Sequence, residues 1–179
     1  LAGWAPTNAS FRSNVTAMRL LLGDDATLEW LEGMVANNTR AYESNTAVVQ
    51  GVINGEIAVG LTNHYYIFRF LAETPDLNAE LYFLPGGDVG ALVNIAGAAI
   101  LRSSDQPELA EQLVAYLLSD AAQEYFASQT FEYPLVEGVE HAEILPDLDE
   151  LELPEIDLTD LDDLQGTIDM IEESGALDN

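Results

Sequence analysis

Of the 179 residues in this chain, Asn63-His64-Tyr65-Tyr66 offer the most chemistry, because they directly follow Glu56-Ile57-Ala58-Val59-Gly60-Leu61, a run that reads as a buried strand. In a layered α/β fold the carboxyl end of a strand is where ligands bind: loops diverge there, and the next helix presents N–H groups that its own turns leave unsatisfied. A phenolate oxygen is a hard anionic donor. It suits a small, highly charged ion such as Fe3+, whose field can ionise a phenol of pKa about 10 at neutral pH. Adjacent tyrosines on a regular strand point to opposite faces, whereas on an irregular turn they can converge on one ion. Simple packing aromatics are the alternative that the bare dipeptide leaves open.

Two other stretches have related potential. Pro6-Thr7-Asn8-Ala9-Ser10 enters a helical pattern, and small or hydroxyl residues at a helix start leave backbone N–H groups free for an anion. Asn45 opens another helical pattern and adds an amide donor; ordinary N-capping explains both stretches equally well. If the fold aligns the three strand ends, these residues and Asn63 form one pocket.

Other chemistries find little support. The chain has two His and no Cys, so thiolate metal sites and disulfides are excluded. It contains no Gly-x-Ser-x-Gly elbow, phosphate loop or His-Glu-x-x-His. The cluster Asp157, Asp160, Asp162 and Asp163 lacks calcium-loop spacing and reads as a solvated helix start. Against 32 acids stand five basic residues, all Arg, giving a net charge of -27. That balance excludes nucleic-acid partners and adhesion to an anionic membrane surface. Sixteen acids precede residue 137 and sixteen follow, so the imbalance is partly an acidic tail and partly a general surface property. The absence of Lys beside retained Arg favours salt adaptation.

The elements that must position these residues are legible from period and punctuation. Phe11, Val15, Met18 and Leu22 predict one helix, with Ser10 as N-cap and Gly23 as the stop. Asp24 or Asp25 caps a second helix through Leu28, Leu31 and Val35; after an extended piece near Tyr42, Asn45 caps a third that ends at Gly55. A short helix to Glu73 follows the Tyr pair. Glu80 to Leu84 and the apolar run Ala91 to Leu101 read as strands, Pro107 opens a strong helix, Ser119 or Asp120 opens another, and a last one falls near Thr159 to Ser174. The alternation means an α/β layer architecture.

Pro6-Thr7-Asn8-Ala9-Ser10-Phe11, Asn45-Thr46-Ala47-Val48, Gly55-Glu56-Ile57-Ala58-Val59-Gly60-Leu61, Asn63-His64-Tyr65-Tyr66, Leu92-Val93-Asn94-Ile95-Ala96-Gly97 and Leu117-Leu118-Ser119-Asp120-Ala121-Ala122-Gln123 together resemble, in order and spacing, the bacterial and archaeal ferric-iron-binding proteins. Those are the extracytoplasmic solute receptors of iron ABC importers, with no catalysis of their own. The Tyr-Tyr element is the most specific of these motifs. The resemblance implies a type II periplasmic-binding-protein-like α/β lobe, a sheet with flanking helices plus C-terminal helices, and it implies that Tyr65 and Tyr66 ligate Fe3+. It further implies that Asn8, Ala9, Ser10, Asn45 and Asn63 hold a synergistic anion, carbonate or phosphate, while His64 matches no ligand position.

The family is about twice this length, so the expected correspondence is to its later half. Residues 1–92 would form the second ligand-binding lobe, 93–136 a return segment and helices packing toward a first lobe absent here, and 137–179 an acidic C-terminal segment with a final helix. Further ligands would come from that first lobe, leaving weak iron binding by this chain alone. An ABC permease is the implied partner, an extracytoplasmic location with anchoring through a missing N-terminus the implied setting, and a salt-adapted archaeon the implied source. A receptor of the same fold for thiamine or a polyamine, a metal-dependent hydrolase, and a purely structural domain are the competing expectations.

Overall fold

The computed structural model describes residues 1–178. Three short strands, β1 (Ala2–Trp4), β2 (Arg40–Ala41) and β3 (Val59–Gly60), form a parallel sheet in the order β2-β1-β3. The run expected as a strand over 56–61 is regular for only two residues. Its ladder nonetheless extends on both sides, with Ala58 N–H donating to the Leu1 carbonyl at 2.8 Å and Leu61 N–H to the Gly3 carbonyl at 2.9 Å. Gly60 is required where it stands: a Cβ there would lie 2.6 Å from Val48 Cγ1, so only glycine lets β3 approach the helix behind it this closely.

Between the strands lie α1 (Ala9–Leu22), α2 (Asp24–Ala36) and α3 (Asn45–Ile53); α4 (Tyr65–Glu73) follows β3. The stripe of α1 buries Phe11, Val15 and Met18 as its period requires, whereas Leu20, Leu21 and Leu22 are exposed. Three capping expectations need correction. Asn8, rather than Ser10, caps α1, its Oδ1 accepting from Ser10 N–H at 2.9 Å. Gly23, at φ +87°, both ends α1 and precedes α2, leaving Asp24 and Asp25 in the first turn of α2, where they complement its dipole. Ser44, rather than Asn45, caps α3 by accepting from Ala47 N–H at 3.2 Å, which frees the Asn45 side chain for another use.

The described residues divide into two compact units, residues 1–94 with 151–178, and residues 95–150. In the first unit, helices cover both faces of the sheet. On one face Trp4, Phe11, Val15, Leu31, Met170, Ile171 and Ala176 form the principal core, and Trp4 meets Phe11 and Trp30 edge-on at 5.4 and 6.0 Å. On the other face Ala5, Val48 and Ile57 pack with Tyr42 and Val52. The last helix, α7 (Leu164–Glu173), belongs to the first core because its Thr167 hydroxyl pairs with that of Thr16 at 2.8 Å, both side chains being buried. Arg19 reinforces this dock, reaching Asp163 Oδ2 at 2.9 Å and Asp24 Oδ1 at 2.8 Å.

The second unit contains α5 (Pro107–Leu117) and α6 (Asp120–Tyr125), the latter continued by a π-helical turn over Phe126–Thr130. Buried Gln123 fixes the corner: its Nε2 donates to the Leu117 carbonyl at 2.8 Å and its Oε1 accepts from Leu135 N–H at 2.7 Å. Leu109, Leu113 and Tyr116 of α5, spaced to share one face, all remain exposed.

The strands expected over Glu80–Leu84 and Ala91–Leu101 do not form. Apart from a single 3₁₀ turn at Val89–Ala91, these segments are irregular, and Tyr82, Ile95 and Leu101 are exposed. A strand needs a neighbour for its N–H and C=O groups, and no described strand of this chain pairs with either segment.

Candidate functional site

In a parallel sheet all carboxyl ends share one edge, so the heads of α1, α3 and α4 gather along the same side of β2-β1-β3. The strand order places a switch point there. From the central strand β1 the chain leaves to α1, which packs with α2 and α7 on one face; from β3 it leaves to α4, which packs on α3 over the other face. Neighbouring connections that part in this way open a crevice between β1 and β3, bounded by residues 5–10 and 61–66.

The expected site residues fall on this edge. Asn8, Ala9 and Ser10 form the cap and first turn of α1. Asn8 spends Oδ1 on Ser10 N–H, and its own N–H goes to the Ala5 carbonyl at 2.9 Å. For a ligand it therefore offers the amide Nδ2, and Ala9, lacking a polar side chain, offers only its backbone N–H. Asn45 and Asn63 are brought into direct contact: Asn45 Nδ2 donates to Asn63 Oδ1 at 3.0 Å, with Asn45 almost wholly buried. Residues 8–10 join the others through the shared sheet edge, β1 being paired to both β2 and β3.

Tyr65 and Tyr66 open α4, so the pair sits on the first turn of a helix, not on an irregular turn. Adjacent helical residues diverge by about 100° around the axis, yet the two rings lie only 4.7 Å apart between centroids, inclined at 35°. Both side chains are half-buried. The helix stripe beneath them, Ile67 and Phe68, is buried and anchors this turn. His64 stands edge-on to Tyr65 at 5.3 Å and tilts against Phe83 at 6.2 Å, as an aromatic neighbour of the pair. His64 itself has helical φ and ψ and makes no side-chain cap, and Tyr66 N–H donates to the Asn63 carbonyl at 3.4 Å.

The structure adds residues that the sequence did not flag. Phe83 comes from the segment expected as a strand. The Thr62 hydroxyl, beside Asn63, is buried without a hydrogen-bond partner, an orphan of the kind that gathers at ligand sites. A hydroxyl immediately before the Asn-His-Tyr-Tyr run was the available sequence signal. The 32 acids build no comparable site: among the described residues no group of three or more His, Asp or Glu is arranged to hold a metal ion.

A family model for bacterial extracellular solute-binding proteins matches residues 2–151. The chain belongs to that family. Within it, the chain is 34% identical over 175 residues to the major ferric iron-binding protein of Neisseria meningitidis serogroup B and 32% identical over 179 to the Fe(3+)-binding periplasmic protein of Serratia marcescens, covering 97% of this chain and 53% and 52% of those proteins. It is also 33% identical over 144 residues to iron uptake protein A2 of Synechocystis. The chain thus spans about half the length of the curated relatives it matches. Iron-bound HitA from Pseudomonas aeruginosa superposes with a TM-score of 0.91 at 33% identity, over 97% of this chain and 56% of HitA. Apo ferric ion-binding protein A from Pasteurella haemolytica shares the fold, with a TM-score of 0.79 at 22% identity. The architecture of this chain is therefore periplasmic-binding-protein-like, helix-rich with a small sheet.

Proposed function

We propose that this chain forms the ferric-iron-binding lobe of an extracytoplasmic receptor serving an ABC importer. The observation that carries this reading is the Tyr65-Tyr66 pair, ring against ring on the first turn of α4, just beyond the carboxyl end of β3. Fe3+ is the cargo: both phenolates ligate it, and Asn8, Ala9, Ser10, Asn45 and Asn63 hold a carbonate or phosphate that fills further coordination positions. Neutral amides and helix heads suit that anion because they stabilise its charge without competing for the metal.

The remaining ligands belong to a first lobe, for which the greater length of the relatives leaves room. In this reading residues 1–92 are the second lobe, 93–136 return toward the first, and 137–179 form the acidic closing segment. The exposed face of α5, with Leu109, Leu113 and Tyr116, supports this, since apolar helix faces are covered in working proteins. Closure of two lobes around iron would present one surface to the permease, biased by contacts that exist only in the closed state. Anchoring at the membrane through an upstream segment and a salt-adapted, archaeal source complete the proposal; the net charge of -27 supports the adaptation.

The test is titration of the full-length receptor with ferric nitrilotriacetate, with and without phosphate or carbonate. A phenolate-to-iron charge-transfer band in the visible, strengthened by the anion, is expected. The two adjacent rings also favour a second reading, an organic cation such as thiamine or a polyamine lying on a ring face. In that case ferric ion would give no band, and the cation would quench tyrosine fluorescence.

A further inference from the structure

Three Asn-x-Ser/Thr triplets occur in the chain: Asn8-Ala9-Ser10, Asn14-Val15-Thr16 and Asn37-Asn38-Thr39. This is the acceptor pattern of N-glycosylation in exported proteins, and the fold discriminates among the three.

Asn8 stands at the head of α1 inside the crevice, with Oδ1 engaged by Ser10 N–H, so a sugar on its amide would fill the site. Asn14 is half-buried, and the atom that would carry the sugar, Nδ2, donates to the Val89 carbonyl at 2.8 Å. Glycosylation there would break the bond that fastens the 88–91 turn to α1.

Asn37 differs from both. It is exposed at the end of α2, and its side-chain amide makes no hydrogen bond to the described residues. Three backbone bonds hold the turn that presents it, Asn37 N–H to the Gly33 carbonyl at 3.0 Å, Asn38 N–H to the Val35 carbonyl at 2.9 Å and Thr39 N–H to the Met34 carbonyl at 3.1 Å, and the Thr39 hydroxyl adds a contact to Met34 Sδ at 3.9 Å. Asn38 takes the left-handed conformation, φ +58°, which asparagine tolerates better than most residues. Thr39 is buried and anchors the turn from below, so the transferase would read its hydroxyl on the extended chain during export. After folding, only room at Asn37 is required. Location adds a further argument. Residue 37 leads into β2 at Arg40, placing it at the amino edge of the parallel sheet, opposite the heads of α1, α3 and α4. A glycan there leaves the crevice open.

We propose that Asn37 is an N-glycosylation site of the exported protein. Its Nδ2 bonds to C1 of the first sugar of a lipid-linked pyrophosphoryl oligosaccharide; the C1–O bond breaks, the lipid pyrophosphate leaves with the electron pair, and Nδ2 gives up one proton. The proposal rests on the extracytoplasmic reading above.

Trypsin separates the three candidates, because Arg12, Arg19 and Arg40 place Asn8 on the peptide ending at Arg12, Asn14 on Ser13–Arg19 and Asn37 on Leu20–Arg40. For protein recovered from the extracytoplasmic fraction of its source cells, mass spectrometry is expected to find a glycan on Leu20–Arg40, absent in Asn37→Gln, with the other two peptides unmodified. An exported protein whose Leu20–Arg40 peptide is wholly unmodified, or whose sugar sits on the Asn8 or Asn14 peptide instead, overturns the assignment. Recovery from the cytoplasm alone overturns the export reading and the assignment with it.

Discussion

Asn45 Nδ2 donates to Asn63 Oδ1 across 3.0 Å, tying the head of α3 to the loop that delivers Tyr65 and Tyr66. The bond exists because Ser44 takes over the capping of α3, leaving a buried amide with no duty to its own helix. Asn45→Ala removes the donor and strands the Asn63 carbonyl, at an expected cost of about 1–3 kcal/mol. The same variant should weaken the anion's effect on iron binding, because the loop loses its tether. Urea denaturation and iron titration with and without phosphate check the two effects; unchanged anion dependence would remove Asn45 from the site.

Arg19 clasps the far C-terminal helix to the start of the fold, its side chain only 14% exposed while its partners Asp24 and Asp163 are 62% and 59% exposed. It also donates to the Thr167 hydroxyl at 3.1 Å and the Asp163 carbonyl at 3.2 Å. In Arg19→Met the α7 amides should exchange roughly tenfold faster, while amides of α3 and α4, on the other face of the sheet, change little. Uniform loss of protection would mean that the clasp serves global rather than local stability.

Acid and base act on two different latches. The Asp163 carboxyl is held below its ordinary value by the Gly166 N–H and by Arg19, so its stabilisation is complete above the ordinary aspartate range and is lost as pH falls through the lowered value. The imidazole of His141 is raised above 6.5 by Asp147, 2.7 Å from Nε2, and by the Ala142 carbonyl, 3.0 Å from Nδ1; Glu140 adds to the shift. Its contribution is complete below 6.5 and fades as pH rises through the higher folded value. Beside it, burial and then Asp147 push the Tyr133 phenol up to about 12, so that group stays neutral throughout. Proton NMR titration should therefore find His141 above 6.5 in the native chain and lower in His141's unfolded reference or in Asp147→Asn.

The net charge of -27 makes a prediction opposite in sign to that for an ordinary surface ion pair. Raising salt from about 0.1 M to 1 M shortens the screening length from about 10 Å to 3 Å and relieves the self-repulsion of the acids. The midpoint of thermal unfolding should rise across that range. A falling midpoint would show that the few Arg pairs, not repulsion among carboxylates, dominate the electrostatics.

Much of this arrangement was legible in the sequence. The period of α1, the Gly stops and the strand before Asn63 are local signals, and the structure follows them. The caps were less legible, because Asn8, Ser10, Ser44 and Asn45 all have side chains suited to the role and only backbone geometry decides which one turns inward. The failed strands at 80–84 and 91–101 carry apolar runs without partners, and pairing is a non-local property that composition does not encode. Among the site residues the Tyr pair was chemically visible, whereas the Asn45–Asn63 bond, the orphan Thr62 hydroxyl and the Phe83 contact depend on three-dimensional neighbours.

The most direct test of the central claim is the visible absorption of ferric-loaded, full-length receptor carrying Tyr65→Phe, Tyr66→Phe or both. Loss of either phenolate should shift and weaken the charge-transfer band and lower iron affinity at least tenfold, and the double variant should show no band. A double variant that keeps the band and the affinity would contradict the assignment of iron to the β1/β3 crevice.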